Sequence, residues 1–261
     1  MDPDRKFAEA AQALLEHRRH PRGRDPLPAR LRPADELEGY AIQHALRERL
    51  AEAEFGPLAG YKIGCTTAVM QRFLAIDHPC AGAVMANRLY TGDTVLDFSS
   101  FARVGVECEM AVRLNQQVGR ALTRDEVTQV VAEYRVSIEV VDDRYADYRA
   151  LDAATLIADD FFQSALIVGA SGVDTLTHPE QLDATLRING EVIGTGSSQD
   201  ILGHPLSALQ WLSNHAQDVD IPIDADAWIT LGSMVQTQWL ERGDRVEVNV
   251  SSLGTLALSV E

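Results

Sequence analysis

Cysteine is scarce: Cys65, Cys80 and Cys108 are the only three in 261 residues. So small and odd a number excludes a disulfide framework, and the spacing fits no zinc site. Buried free thiols in a reducing compartment are expected. No apolar run reaches the length of a bilayer span, and the start Met1-Asp-Pro-Asp-Arg-Lys6 has no apolar signal-peptide core. A cytoplasmic protein is therefore expected. Positive charge is also short. The formal net charge is -16, and the only basic cluster is His17-Arg-Arg-His-Pro-Arg-Gly-Arg24. Nucleic acids and anionic membranes are poor partners for such a chain. No Gly-x-Ser-x-Gly elbow occurs, so His204 has no serine to activate and a hydrolase triad is not supported. No repeat and no low-complexity linker divides the chain.

What remains reads as a single domain over 1–261 with an α+β fold. Apolar residues at helical spacing predict helices over 8–15 and 37–50, the second capped by Asp35. A short third helix is expected over 66–74, capped by Thr66 and stopped at Asp77-His78-Pro79. Residues 1–82 thus read as mainly helical. Beyond Gly82 the period changes to two. Strands are expected at 94–98, 105–114, 135–141, 163–168, 184–188, 191–195, 227–230 and 245–250, with a hairpin turn at Asn189-Gly190. Helices interrupt at 124–132 and 205–217, the latter opening at His204-Pro205. The alternation is too irregular for a doubly wound sheet. A mixed β-roll or barrel-like core over 83–261, with a helical amino-terminal part, is the expectation.

Glu107-Cys108-Glu109 lies within one of these strands, and Glu139 within another. Residues two apart on a strand share a face, so Glu107 and Glu109 look toward one spot while Cys108 points into apolar surroundings. Carboxylates gathered in a buried place repel one another unless a cation or a proton joins them. Oxygen-only ligands suit a hard ion such as Mg2+ or Mn2+. The bland alternative is a Glu-x-Glu on a solvated strand face.

Further motifs accompany the carboxylates in order: Gly60-Tyr-Lys-Ile-Gly-Cys-Thr66, Asp142-Asp-Arg-Tyr145, Ile157-Ala-Asp-Asp160, Leu202-Gly-His-Pro-Leu206, Leu231-Gly-Ser233 and Arg242-Gly-Asp244. Together they resemble the 2-keto-4-pentenoate hydratase and 4-oxalocrotonate decarboxylase branch of the fumarylacetoacetate hydrolase superfamily, over roughly 35–258. The resemblance implies that Glu107, Glu109 and Glu139 are metal ligands, with Mg2+ or Mn2+ as the cofactor. It implies that Lys62 lines the substrate pocket, that Asp77 is the acid ahead of the Pro-x-x-Gly loop, and that Ser233 lies near a substrate carboxylate. It also implies a homo-oligomer, and association with a pathway partner enzyme in the decarboxylase relatives. The chain departs from the family's Ala-Asp-Asn-Ala-Ser segment, reading Ala158-Asp-Asp-Phe-Phe162. Phe161 and Phe162 either line the pocket or belong to the core.

A 2-oxo acid chelated through its carboxylate and ketone oxygens gains an electron sink. That sink serves hydration of a 2-hydroxypenta-2,4-dienoate, decarboxylation of a vinylogous β-keto acid, or C–C cleavage as in acylpyruvate hydrolysis. Hydration is placed first. A non-catalytic partner of an associated enzyme is the reading from another class. Lys62 is expected to act as acid or electrostatic clamp, and Asp77 and Asp160 to move protons or place water. Asp159 is expected to be structural. Arg144 is expected to pair with Asp142 or Asp143, and is otherwise the counter-charge for a second substrate carboxylate. Asp160 would make the pocket more negative, which favours a monocarboxylic substrate.

Overall fold

The computed structural model describes residues 2–261. In chain order the elements are α1 (Pro3–Arg19), α2 (Glu36–Glu52), β1 (Leu58–Gly64), α3 (Ala68–Leu74), β2 (Cys80–Met85), β3 (Leu89–Thr91), β4 (Thr94–Leu96), β5 (Val104–Leu114), α4 (Arg124–Gln129), β6 (Val131–Asp142), α5 (Ala153–Ala158), β7 (Gln163–Val168), β8 (Asp183–Ile188), β9 (Glu191–Ser197), α6 (Leu206–Asp218), β10 (Trp228–Thr230), β11 (Gln238–Trp239), β12 (Arg245–Val250) and β13 (Gly254–Val260). Two mixed sheets form. The larger runs β2-β1-β10-β5-β6-β7-β3, with β11 also on β5; the smaller runs β4-β13-β12-β8-β9. Among the described residues no helix is long and apolar enough to cross a membrane.

Alternation along the two longest strands decides which face does what. On β5, Val104, Val106, Cys108, Met110, Val112 and Leu114 enter the main core. On β6, Val136, Ile138 and Val140 do the same. The smaller sheet closes that core with Val246, Val248, Val250, Leu256, Leu258 and Val260. The intervening residues, Glu107, Glu109, Ser137 and Glu139 among them, must then look to the other face of the large sheet. Cys108 is fully buried in apolar company, as expected.

The helical part packs as its own layer. Ala10, Ala11, Leu14 and Leu15 of α1 meet Ile42, Leu46 and Leu50 of α2, and this cluster reaches Ala83 and Met85 on β2. The Asp35 side chain accepts a hydrogen bond from the Glu38 amide at 2.9 Å and caps α2. Helix α3 is capped by Thr67, one residue later than expected, and the Thr66 side chain is buried instead. Helix α4 ends at Gln129, not 132, because Val131 already belongs to β6.

Strands β1 and β2 fall within the stretch that reads as mainly helical. Strand β2, Cys-Ala-Gly-Ala-Val-Met, is buried at every position and so carries no period-two signal. Strand β1 joins β2 in antiparallel and β10 in parallel register, with Gly60 opposite Trp228. A Cβ on Gly60 would stand 1.9 Å from the Trp228 carbonyl oxygen. Gly60→Ala should therefore push β1 from β10 and lower the unfolding free energy by about 3 kcal/mol. Denaturant titration reads this directly. An unchanged midpoint would mean that the pairing carrying Lys62 tolerates a wider spacing.

Candidate active site

The antiparallel register of β5 and β6 sets Glu107 directly across from Glu139, with Glu109 opposite Ser137. One carboxylate oxygen from each of Glu107, Glu109 and Glu139 lies within 4.8 Å of the others. Glu109 and Glu139 are buried and Glu107 is half-buried. Lys62 enters from β1, 4% exposed, and its Nζ stands 3.0 Å from Glu139 Oε1. That contact pairs one Glu139 oxygen with the ammonium, while Glu139 Oε2 and Glu109 Oε1 have no hydrogen-bond partner.

Two further oxygens, one on Glu109 and one on Glu107, are held in place. Glu109 Oε2 accepts from Thr230 Oγ1 and, at 3.0 Å, from the Gly232 amide. Thr237 Oγ1 donates to Glu107 Oε1. Gly232 has φ +120°, and a Cβ there would come within 2.4 Å of Thr66 Oγ1. Only glycine lets that amide reach Glu109.

The electrostatics follow from burial. Desolvation pushes the Glu139 carboxyl up to about 7, against the pull of Lys62 and with added repulsion from Glu107. Burial, then Glu139 and Glu107, raises Glu109 well above the ordinary carboxylate range. Burial works to lower Lys62, but Glu139 and Glu107 outweigh it and hold the ammonium above its usual value. A single lysine thus faces three carboxylates, two of them with orphaned oxygens. An unmet buried oxygen costs roughly 1–3 kcal/mol. A hard divalent cation is the group this all-oxygen donor set fits.

The remaining expected residues divide. Phe161, 6% exposed, lies with its ring centroid 5.9 Å from Lys62 Nζ and also packs with Cys65, Cys80, Leu156 and Ile157. Phe162 turns toward Tyr145 and Tyr148, its ring edge-on to both. Ser233 is half-buried in the loop after β10 and donates to the Val235 carbonyl at 2.6 Å. Asp77 sits exposed on the bend between α3 and β2, and among the described residues its side chain makes no hydrogen bond or ion pair.

Two expectations need correction. Arg144 pairs with neither Asp142 nor Asp143. It is buried on Asp159 at 3.0 Å, with Tyr145 Oη donating to the same oxygen at 3.1 Å. Asp142 is occupied by the Ala102 and Arg103 amides. Arg144 is thus committed to Asp159. Asp160 does not add an open charge to the pocket. Its Oδ1 accepts from the Ala83 amide at 2.8 Å and its Oδ2 from Arg18 at 2.6 Å. Asp159 is structural, as expected, but as a buried ion pair.

Sequence reasoning missed Arg18, Thr230, Gly232 and Thr237. Arg18 lies 142 residues from Asp160 and beyond the helix expected over 8–15, which in the structure runs on to Arg19. A cavity of about 250 Å3 lies elsewhere, lined by Arg124, Asp125, His204 and Gln210, and shares no residue with this cluster.

A fumarylacetoacetate hydrolase C-terminal family model matches residues 81–261. The chain therefore belongs to the fumarylacetoacetate hydrolase family. It is 29% identical over 260 residues to 2-keto-4-pentenoate hydratase 1 of Dechloromonas aromatica (strain RCB), covering 95% of both chains. It is 26% identical over 226 residues to a 4-oxalocrotonate decarboxylase of Pseudomonas putida, covering 84% of this chain and 83% of that one. In fold it is similar to 4-oxalocrotonate decarboxylase from Pseudomonas putida G7 complexed with magnesium and adipate. The TM-score is 0.93 at 20% identity, covering 99% of this chain and 98% of that one.

Calorimetry with Mg2+ or Mn2+ should show one ion bound per chain. At a hundredfold excess over Kd, binding should raise stability by about 2.7 kcal/mol. Glu107→Gln should lose most of that gain, while Lys62→Met should retain it. A Glu107→Gln protein stabilised as much as the original would remove Glu107 from the ligand set.

Proposed function

We propose that the protein is a divalent-metal-dependent hydro-lyase that hydrates a small unsaturated 2-oxo acid, of the 2-hydroxypenta-2,4-dienoate type, to a 4-hydroxy-2-oxo acid. The observation that carries the reading is the buried Lys62 ammonium set against three converging carboxylates with unmet oxygens. The full-length similarity to proteins named 2-keto-4-pentenoate hydratase supports the choice of reaction.

In this proposal Glu107, Glu109 and Glu139 hold Mg2+ or Mn2+. The bound cation would supply Lewis-acid polarisation of the 2-oxo group. Lys62 neutralises the substrate carboxylate or delivers a proton, its ammonium form being secured by the glutamates. Its β1 backbone and the Phe161 ring keep it out of water. Asp77 has no side-chain partner among the described residues, and the proposal gives it water or proton delivery. Ser233 is assigned to the substrate side of the loop after β10. Thr230 and Thr237 aim the two glutamates they bind.

Decarboxylation of a dicarboxylate is the second reading, and a specific observation bears on it. Arg18 neutralises Asp160, which removes the repulsion that would have excluded a second carboxylate. Against it, the expected counter-charge, Arg144, is committed to Asp159. The balance keeps a monocarboxylate first.

Incubation with Mg2+ or Mn2+ and either 2-hydroxypentadienoate or 4-oxalocrotonate, with products identified by NMR, tests both readings. A higher kcat/KM for the monocarboxylate is expected, and Lys62→Met should cut kcat about 10²-fold. A clear preference for the dicarboxylate would reverse the order of the readings. Near-normal turnover by Lys62→Met would end the role given to Lys62.

A further inference from the structure

The turn that brings Phe161 to Lys62 is strained. Asp160, Phe161 and Phe162 have φ of 52°, 47° and 66°, three successive non-glycine residues in the left-handed region. L residues avoid that region because Cβ crowds the backbone, so the turn needs outside support. Asp160 supplies it. One carboxylate oxygen takes the Ala83 amide of β2, and the other takes Arg18 Nη2 at 2.6 Å, with side-chain exposures of 5% and 1%. Arg18 comes from the last turn of α1, outside the stretch matched by the family model. It also reaches the Asp159 carbonyl, at 3.3 Å.

Only a glycine separates this turn from Lys62. A Cβ on Gly82 would lie 2.9 Å from the Asp160 carbonyl oxygen, 3.1 Å from Asp160 Cβ and 3.1 Å from Lys62 Cγ. Across that gap the Asp160 backbone and Cβ, which carry a buried carboxylate, face the stem of the one buried lysine. Arg18 is the cation that pairs with it.

We infer that Arg18 is a positioning residue: by holding the Asp160 carboxylate on the far side of Gly82, it keeps the Lys62 ammonium on Glu139 and the Phe161 ring beside it. The inference rests on the role proposed for Lys62 and deepens it. Without Arg18, Asp160 would be a stranded buried charge, and two responses are open to it. It can draw Lys62 away from Glu139, or the left-handed turn can relax and carry Phe161 off. Either displaces the ammonium from the reacting position and leaves the three glutamates in place. Neutralising Asp160 removes the stranded charge and with it the cause.

The chain has only two lysines, Lys6 and Lys62. Lysine labelled with 15N at Nζ therefore gives two side-chain NMR signals in the whole Mg2+-loaded protein. Arg18→Ala should shift the Lys62 signal, leave Mg2+ affinity unchanged, and lower kcat about tenfold or more with a smaller change in KM. Arg18→Ala combined with Asp160→Asn should return both signal and kcat toward the original. A folded Arg18→Ala protein with an unmoved Lys62 signal overturns the inference, as does a double variant no better than the single. If Arg18→Ala does not fold, the double variant decides: a native Lys62 signal supports the inference, and failure to fold overturns it. A native protein inert toward every 2-oxo acid would defeat the proposed function instead, and the Nζ signal would still decide the role of Arg18.

Discussion

Three carboxylates and one ammonium share a buried patch on the face of the large sheet turned away from its main core. Each group is tolerable there only because of the others. Lys62 alone would be driven toward neutrality by burial, and Glu109 and Glu139 alone toward protonation. The single lysine cannot satisfy three acids, so the patch keeps a net demand for positive charge. The sheet exists in a form that imposes this crowding. Glu107 and Glu139 are direct cross-strand partners, and like charges at that spacing destabilise a sheet unless something sits between them. Strands with fully apolar core faces on the other side hold the register against that repulsion.

A second layer of charge lies beneath the first and is built differently. Arg18 and Arg144 converge on Asp159 and Asp160, with Tyr145 completing Asp159. Here cations and anions balance in number, and each carboxylate is met by hydrogen-bond donors. Burial works to raise Asp159, yet Arg144 and Arg18 hold its carboxyl below the ordinary range. A closed network of this kind makes no demand for a further ion. It ties the amino-terminal helix α1 to the turn beside Lys62, and so links a helical layer with its own apolar cluster to the chemistry of the sheet.

Much of this was legible in the chain, and the failures have physical causes. Alternation along 104–114 placed Glu107 and Glu109 on one face and Cys108 on the other, because one face of that strand is apolar at every second residue. The family motifs pointed to Lys62 and Glu139. Strand β2 was not legible, since small residues buried on both faces leave no period. The last strand, β13, was missed behind its Gly-Thr start, although Leu256, Leu258 and Val260 do alternate into the core. The partner of Arg144 could not be read from nearby acids. Asp142 and Asp143 are closer in sequence, but Asp142 is taken by two backbone amides. Arg18 had no local signal at all, because long-range ion pairs leave none.

Cation usage separates the two layers. The chain makes nearly all of its positive charge with arginine and has only two lysines. Buried structural pairs with Asp159 and Asp160 use arginine, whose planar fork meets several acceptors at once and cannot lose its proton. Lysine appears internally only at Lys62, where a compact point charge stands beside one Glu139 oxygen and leaves the other without a partner. A guanidinium at that position would satisfy the carboxylates outright and close the site as Arg144 closes Asp159. A small ammonium leaves the glutamate oxygens open to another ligand. The choice of lysine there, in a chain that otherwise spends arginine, is what separates a reactive cluster from a structural one.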